Sequence, residues 1–150
     1  MTINFDMDGT FVDLYGVPEW WEKLDMHDPT PYIEAKPLVR LSVLARYINK
    51  FQKAGIKVNI ISWLAKSSTP KYETEVIDAK REWLRKHLPS VRFDGIYIVP
   101  YGTPKSNYVP KDRSNLLIDD EIKNLAEWEK ARAGFGIVAT EMFELFKTIK

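Results

Sequence analysis

Apolar and polar positions along the chain switch between two periods, and the switches mark out the elements. Residues 2–6 read as a short buried strand. Leu38, Leu41, Leu44, Ile48 and Phe51 recur at helical spacing. Pro37 suits the first turn of that helix and Gly55 its end. Ile56 to Ser62 is β-branched and strand-like. Tyr72 to Leu88 reads as a helix that Pro89 stops. Strands follow at Ile96–Val99, Asn115–Ile118 and Phe135–Val138. A charged helix carrying Ile122, Leu125 and Trp128 lies between the last two. The last helix buries Met142, Leu145, Phe146 and Ile149. This order predicts an α/β fold: a Rossmann-like, doubly wound, mostly parallel five-stranded sheet with helices on both faces.

Composition sharpens that picture. The chain has 150 residues, 45% of them hydrophobic and 13% aromatic. A single domain over residues 1–150 with a substantial core is expected. The net charge of +1 builds no strong field for nucleic acid or an anionic membrane, though a local patch is compatible with a balanced total. The chain has no cysteine, which removes thiolate catalysis, disulfides and cysteine-bound zinc and is compatible with a cytoplasmic setting. No apolar run approaches the ~20 residues that span a bilayer.

The polar residues then fall into place on the frame. Asp6 and Asp8, in the run Asp6-Met7-Asp8-Gly9-Thr10, follow the first strand. Ser62 ends the second, Lys105 lies in the loop after the third, and Asp119-Asp120 end the fourth. Open α/β sheets bind ligands at the carboxyl ends of their strands, so these separate segments converge on one edge. A carboxylate there can attack phosphorus, and a second one two residues on can move a proton. A Mg²⁺-dependent phosphate-transfer site is the leading reading.

The set resembles the haloacid dehalogenase (HAD) superfamily, most of whose members are phosphohydrolases. Its first motif stands here as Asp6-Met7-Asp8-Gly9-Thr10, and its second as Ile60-Ile61-Ser62. Its lone basic residue is best matched by Lys105, with Lys111 as competitor in the same loop. Its fourth motif stands as Leu116-Leu117-Ile118-Asp119-Asp120. Among its members the chain looks most like the 5'(3')-deoxyribonucleotidases. The larger relatives carry a helical cap after the first motif. Here only about residues 13–36 are free to form a lid.

The resemblance implies roles. Asp6 would be the nucleophile, forming an aspartyl-phosphate, and Asp8 the general acid and then base. Ser62 and Lys105 would hold the phosphoryl oxygens. Mg²⁺ would be bound by the Asp6 carboxylate, the Asp8 backbone carbonyl and Asp119, with Asp120 orienting metal waters. Backbone N–H groups of Met7-Asp8-Gly9 are candidates to cradle the phosphate.

Plainer readings exist for several of these groups. Asp119-Asp120 can cap the following helix, and Ser62 can be an ordinary strand-end residue. Trp20-Trp21 reads first as packing of the lid onto the sheet and second as a stacking surface for a nucleobase. Lys80, Arg81, Arg85 and Lys86 read as a solvated helix face, and neither His27 nor His87 suggests a metal. Three functions stay open. The first is a phosphatase for a small phosphomonoester, with a nucleotide among the candidates. The second is a nucleic-acid end-processing phosphatase, which the charge disfavours. The third is a non-catalytic binding module.

Overall fold

The computed structural model describes residues 1–149, so the last residue of the expected 1–150 domain lies outside the described residues. Five strands form the central sheet: β1 (Thr2–Phe5), β4 (Lys57–Trp63), β5 (Gly95–Val99), β6 (Asn115–Asp119) and β7 (Gly134–Val138). Their order is β5-β4-β1-β6-β7, and every pairing is parallel. The chain leaves β1 towards β4 and β5, then returns to β6 on the other side. The switch point beside β1 is where this topology opens a crevice.

Helices cover both faces. Ile3 and Phe5 of β1, Val58 and Ile60 of β4, and Leu116 and Ile118 of β6 form one apolar face. Against it pack α3 (Leu41–Lys53), the carboxyl half of α4 (Pro70–His87) and α6 (Met142–Phe146). Ile61 and Leu117 point to the opposite face, under Leu125 and Trp128 of α5 (Ile122–Lys130). That face also holds buried amides. Asn59 donates to Asn4 Oδ1 at 3.0 Å, and Asn4 donates to the Leu116 carbonyl at 3.1 Å. These bonds satisfy polar groups that would otherwise be costly to bury.

Several elements depart from the sequence pattern. The helix expected from Leu38 starts at Leu41, because Lys36–Pro37 instead form a two-residue strand, β3. It pairs antiparallel with β2 (Val12–Asp13), and the Leu38 N–H donates to the Phe11 carbonyl at 3.0 Å. Leu38 is accordingly exposed. A two-residue ladder has no period to read, so the apolar spacing absorbed it. Ile122 is also exposed rather than buried. It is the first residue of α5, and the helix buries Asn124, Leu125 and Trp128 behind it. The last helix ends at Phe146, with Ile149 packing on the core from beyond it.

Residues 13–36 fold into a compact lid. A 3₁₀ turn (Leu14–Gly16) leads to α1 (Trp20–Asp25) and α2 (Thr30–Glu34). Leu14 and Tyr32 pack on Tyr72, Val76 and Ala79 of α4. Tyr72 Oη donates to the Asp28 carbonyl at 3.0 Å, and Trp83 Nε1 to the Ala35 carbonyl at 2.8 Å. The lid is therefore docked along α4. No helix among the described residues is long and apolar enough to cross a membrane.

Candidate active site

The carboxyl ends of β1, β4 and β6 meet the lid around a cleft of about 390 Å³. Its floor holds Asp6, Asp8, Lys105, Asp119 and Asp120. Asp6 leaves β1 with its N–H still donating to the Ile118 carbonyl of β6 at 2.9 Å. The chain then turns sharply: the Gly9 N–H donates to the Val12 carbonyl at 2.8 Å, and the Thr10 N–H to the Met7 carbonyl at 3.0 Å. Gly9 sits at φ +83, and an added Cβ would lie 2.2 Å from Asp120 Oδ2. Both the left-handed conformation and this close approach require glycine there. The Gly9 N–H is thus used within the turn and is not free to cradle a phosphate.

Asp6 is held from two sides. Its Oδ2 accepts from Thr10 Oγ1 at 3.0 Å, and its Oδ1 from Lys105 Nζ at 2.8 Å. Lys105 opens a 3₁₀ turn (Lys105–Tyr108) after a loop shaped by Pro100, Gly102 and Pro104. Trp63 Nε1 donates to the Thr103 carbonyl at 2.8 Å, and Ser106 Oγ to Glu127 Oε2 at 2.7 Å. These anchors carry the Lys105 ammonium, 2% exposed, into the floor. It also donates to Asp119 Oδ2 at 2.7 Å. Burial alone would lower its pKa, but Asp6 and Asp119 more than offset that and hold it above the ordinary lysine value. Lys111, its competitor in the sequence, is exposed.

Asp119 accepts three hydrogen bonds. Its Oδ1 accepts from the Glu121 N–H at 2.9 Å, and its Oδ2 accepts from Lys105 and from Asn124 Nδ2 at 3.0 Å. It therefore tethers the start of α5 while orienting Lys105. Burial, helped by Asp6, still raises its pKa against the opposing pull of Lys105. Asp120 is the contrasting case. Its buried Oδ1 has no hydrogen-bond partner among the described residues. Burial and the neighbouring Asp6 push its pKa up to about 8. Asp6, Asp119 and Asp120 bring one carboxylate oxygen each within 4.8 Å of one another. An orphaned buried carboxylate oxygen beside two further acids is a donor set suited to a hard cation such as Mg²⁺.

Ser62 lies elsewhere. It is fully buried, does not line the cleft, and its hydroxyl accepts from Lys80 Nζ at 2.7 Å. Lys80 is the site's unexpected member. Read from sequence as part of a solvated face, it is 1% exposed. It donates to Asp8 Oδ2 at 2.8 Å and to the Trp63 carbonyl at 2.9 Å, with the Tyr32 ring 5.1 Å from its ammonium. Burial raises the Asp8 pKa, Lys80 opposes that rise, and Asp6 adds to it. The signal for Lys80 was its place in the series Tyr72, Val76, Lys80, Leu84, which is buried throughout. A lysine at the centre of an apolar i, i+4 stripe is a candidate for a buried partner.

The rim is aromatic. Tyr15, Trp20 and Trp21 line one side, Trp63 and Tyr101 the other. Trp20 packs on the core and meets Tyr15 and Trp21 edge-on, at 4.9 and 5.6 Å between ring centroids. Trp20 is thus partly engaged in packing, whereas Trp21 is 64% exposed. Lys66, with its ammonium 5.0 Å from the Tyr101 ring, is the rim's cation. His27 and His87 stack on Tyr72 and Trp83, away from the acid cluster.

No family model and no curated protein sequence matches this chain. Solved structures do. A D,D-heptose 1,7-bisphosphate phosphatase from Burkholderia thailandensis superposes with a TM-score of 0.56 at 12% identity, over 87% of this chain and 73% of that one. A chain of the Pnkp1/Rnl/Hen1 complex superposes with a TM-score of 0.57 at 16% identity. It is covered over 44% of its own length and 92% of this one, so the present chain spans less than half of it. At such identities the likeness is one of fold: a Rossmann-like α/β fold with a mostly parallel five-stranded sheet, shared with both structures.

Proposed function

We propose that this protein is a Mg²⁺-dependent phosphatase that hydrolyses a phosphate monoester through an aspartyl-phosphate on Asp6. One observation carries the reading: the Asp6 carboxylate is fixed between Thr10 and Lys105 on the floor of the cleft, beside the unpartnered Asp120 oxygen. In the first step an Asp6 oxygen attacks phosphorus, the ester P–O bond breaks, and the leaving oxygen takes a proton from Asp8. In the second, water attacks the same phosphorus and gives its proton to Asp8. The P–O bond to Asp6 breaks, which returns the Asp6 carboxylate and releases phosphate.

Lys105 has a role beyond holding Asp6. An ammonium has three donors, and Lys105 spends two on Asp6 and Asp119. The third is free for a phosphoryl oxygen. Asp6, Asp119 and Asp120 would form the donor set for Mg²⁺. Asp119 accepts three hydrogen bonds against two for Asp6, so Asp6 and Asp120 would be the principal ligands while Asp119 mainly orients Lys105. The bound ion would offset the repulsion between the Asp6 carboxylate and the phosphate dianion.

A small ester with a flat leaving group, a nucleotide among them, suits the aromatic rim. A polymer suits it less: Asp25 and Glu121 line the cleft, against Lys66 as the rim's cation among the described residues. The test is turnover of 4-nitrophenyl phosphate with Mg²⁺ and with excess chelator, in wild type and Asp6→Asn. Chelation should abolish turnover, and Asp6→Asn should lower it by at least ~10³-fold in a folded protein. Full activity in chelator, or near wild-type turnover by Asp6→Asn, would sink the reading.

A further inference from the structure

Lys80 has no donor left for a substrate. Its three N–H groups go to Asp8 Oδ2, Ser62 Oγ and the Trp63 carbonyl, at 2.8, 2.7 and 2.9 Å. It does not line the cleft, but Asp8 does. The ammonium is anchored at the end of β4, and its stem rises from the third turn of α4. Only one of its three acceptors is an anion. A lysine placed in this way acts on the site through the group it holds.

We propose that Lys80 is a positioning residue for Asp8: it fixes Oδ2 of that carboxylate and leaves Oδ1 as the oxygen that gives and takes the proton. The inference rests on the phosphatase reading above and adds a residue to it. Three fixed acceptors leave the ammonium little freedom, so the carboxylate it holds has little freedom either. The Tyr32 ring against the same ammonium closes this arrangement from the lid side. Ser62 then serves the reaction by holding Lys80, not by meeting the phosphate.

The consequence is specific to one chemical event. In the first step the P–O bond to the leaving group breaks and its electron pair stays on oxygen. A nitrophenolate leaves without a proton, whereas a benzyl alkoxide needs one from Asp8. The kcat/KM value reports events up to departure of the leaving group. The return of a proton to Asp8 during hydrolysis of the aspartyl-phosphate enters kcat only.

The experiment measures kcat/KM for benzyl phosphate and for 4-nitrophenyl phosphate, with Mg²⁺, in wild type, Lys80→Met, Ser62→Ala and Asp8→Asn. The ratio of the two values does not depend on the fraction of protein that is folded, so partial unfolding does not blur it. Lys80→Met should lower the benzyl value by about 10²-fold and the nitrophenyl value only slightly, the same pattern as Asp8→Asn. In Lys80→Met/Asp8→Asn the ratio should fall no further than in Asp8→Asn, because the two act as one unit. With nitrophenyl phosphate, kcat and KM should fall together in Lys80→Met. A crystal structure of that variant should show the Asp8 carboxylate rotated from its wild-type position.

A lysine that merely supports the fold would lower both esters equally, and an unshifted ratio in Lys80→Met overturns the inference. Where Lys80→Met does not fold, Ser62→Ala carries the test. It removes one of the three anchors and should shift the ratio in the same direction by a smaller factor, and an unchanged ratio there is the overturning result. A wild type inert towards both esters overturns the phosphatase reading and this inference with it. An active wild type with unshifted variants overturns this inference alone.

Discussion

Lys105 and Lys80 flank the Asp6–Asp8 pair, both are almost wholly buried, and they are held in opposite ways. Lys105 comes from a short turn in a loop and bonds two carboxylates, those of Asp6 and Asp119. Lys80 comes from the middle of an 18-residue helix and bonds one carboxylate, one hydroxyl and one carbonyl. The first keeps a donor free and faces the cleft. The second is saturated and lies behind it. Their sum also matters. Four carboxylates, Asp6, Asp8, Asp119 and Asp120, face these two ammoniums, so the floor stays acidic unless protons or a cation are added. Burial and Asp6 raise the pKa of Asp120, the acid with an unpartnered oxygen, so that carboxylate is the first place for an added proton or cation. On the proposed mechanism, Lys105 would meet the phosphate and Lys80 would hold the proton carrier, Asp8.

The largest effect that can break this contrast is expected from Lys105→Met. It strands two buried carboxylates, a change that costs roughly 3–5 kcal/mol when one partner of a buried pair is removed. Urea unfolding should show that loss, and Mg²⁺ should recover part of it by binding the carboxylates left without Lys105. Turnover in the folded fraction should drop by about 10²–10³-fold, in the range found when a preorganised donor to developing charge is removed. The drop should be the same for benzyl and 4-nitrophenyl phosphate, because the spare donor meets the phosphoryl group common to both. A selective loss with the benzyl ester would mean that the two lysines share one role.

The next effect separates the two acids of the Asp119-Asp120 pair. Asp120→Asn should raise the Mg²⁺ concentration needed for half-maximal activity by about 10–100-fold, the scale of losing a group close to a metal. Asp119→Asn should raise it less and instead lower stability. Its oxygens already serve Lys105, Asn124 and the Glu121 N–H. A Mg²⁺ titration of both variants, by activity and by calorimetry, checks the order. The reverse order would make Asp119 the ligand.

The contrast between the lysines also explains what the sequence could reveal. The parallel sheet was readable because β1, β4 and β6 are short, apolar and bounded by turn residues. The acids were readable because the run Asp6-Met7-Asp8-Gly9-Thr10 and the pair Asp119-Asp120 each follow an apolar strand at its carboxyl end. Lys105 followed from its position after a strand and a Gly-Thr-Pro turn. Lys80 was not readable from its neighbours in sequence, since Arg81, Arg85 and Lys86 beside it are exposed. Only the i, i+4 stripe Tyr72, Val76, Lys80, Leu84 separates it from them. Ser62 was expected at the phosphate because it ends a strand, and which way its hydroxyl turns depends on a lysine 18 residues later. The β2–β3 ladder was too short to have a pattern at all.

The smallest effect concerns the rim, and it tests whether the division of labour on the floor leaves substrate choice to the lid. On the proposed mechanism neither lysine would meet the leaving group, so neither would distinguish one ester from another by binding. That task falls to the aromatic residues above them. Trp20 has its surroundings filled by Tyr15, Trp21 and the core, so Trp20→Ala should loosen the lid and lower activity towards every ester. Trp21 lines the cleft and is mostly open, so its ring is available for stacking. Trp21→Ala should cost about 1–3 kcal/mol of nucleoside monophosphate binding, the range for base–aromatic stacking. It should leave a small acyl or aryl phosphate much less affected. The measurement is kcat/KM for both substrate types in both variants. Loss of the nucleotide preference in Trp21→Ala alone would assign the base to that ring. Equal loss with both substrates would make Trp21 structural, and the floor would then serve a phosphomonoester that no aromatic ring selects.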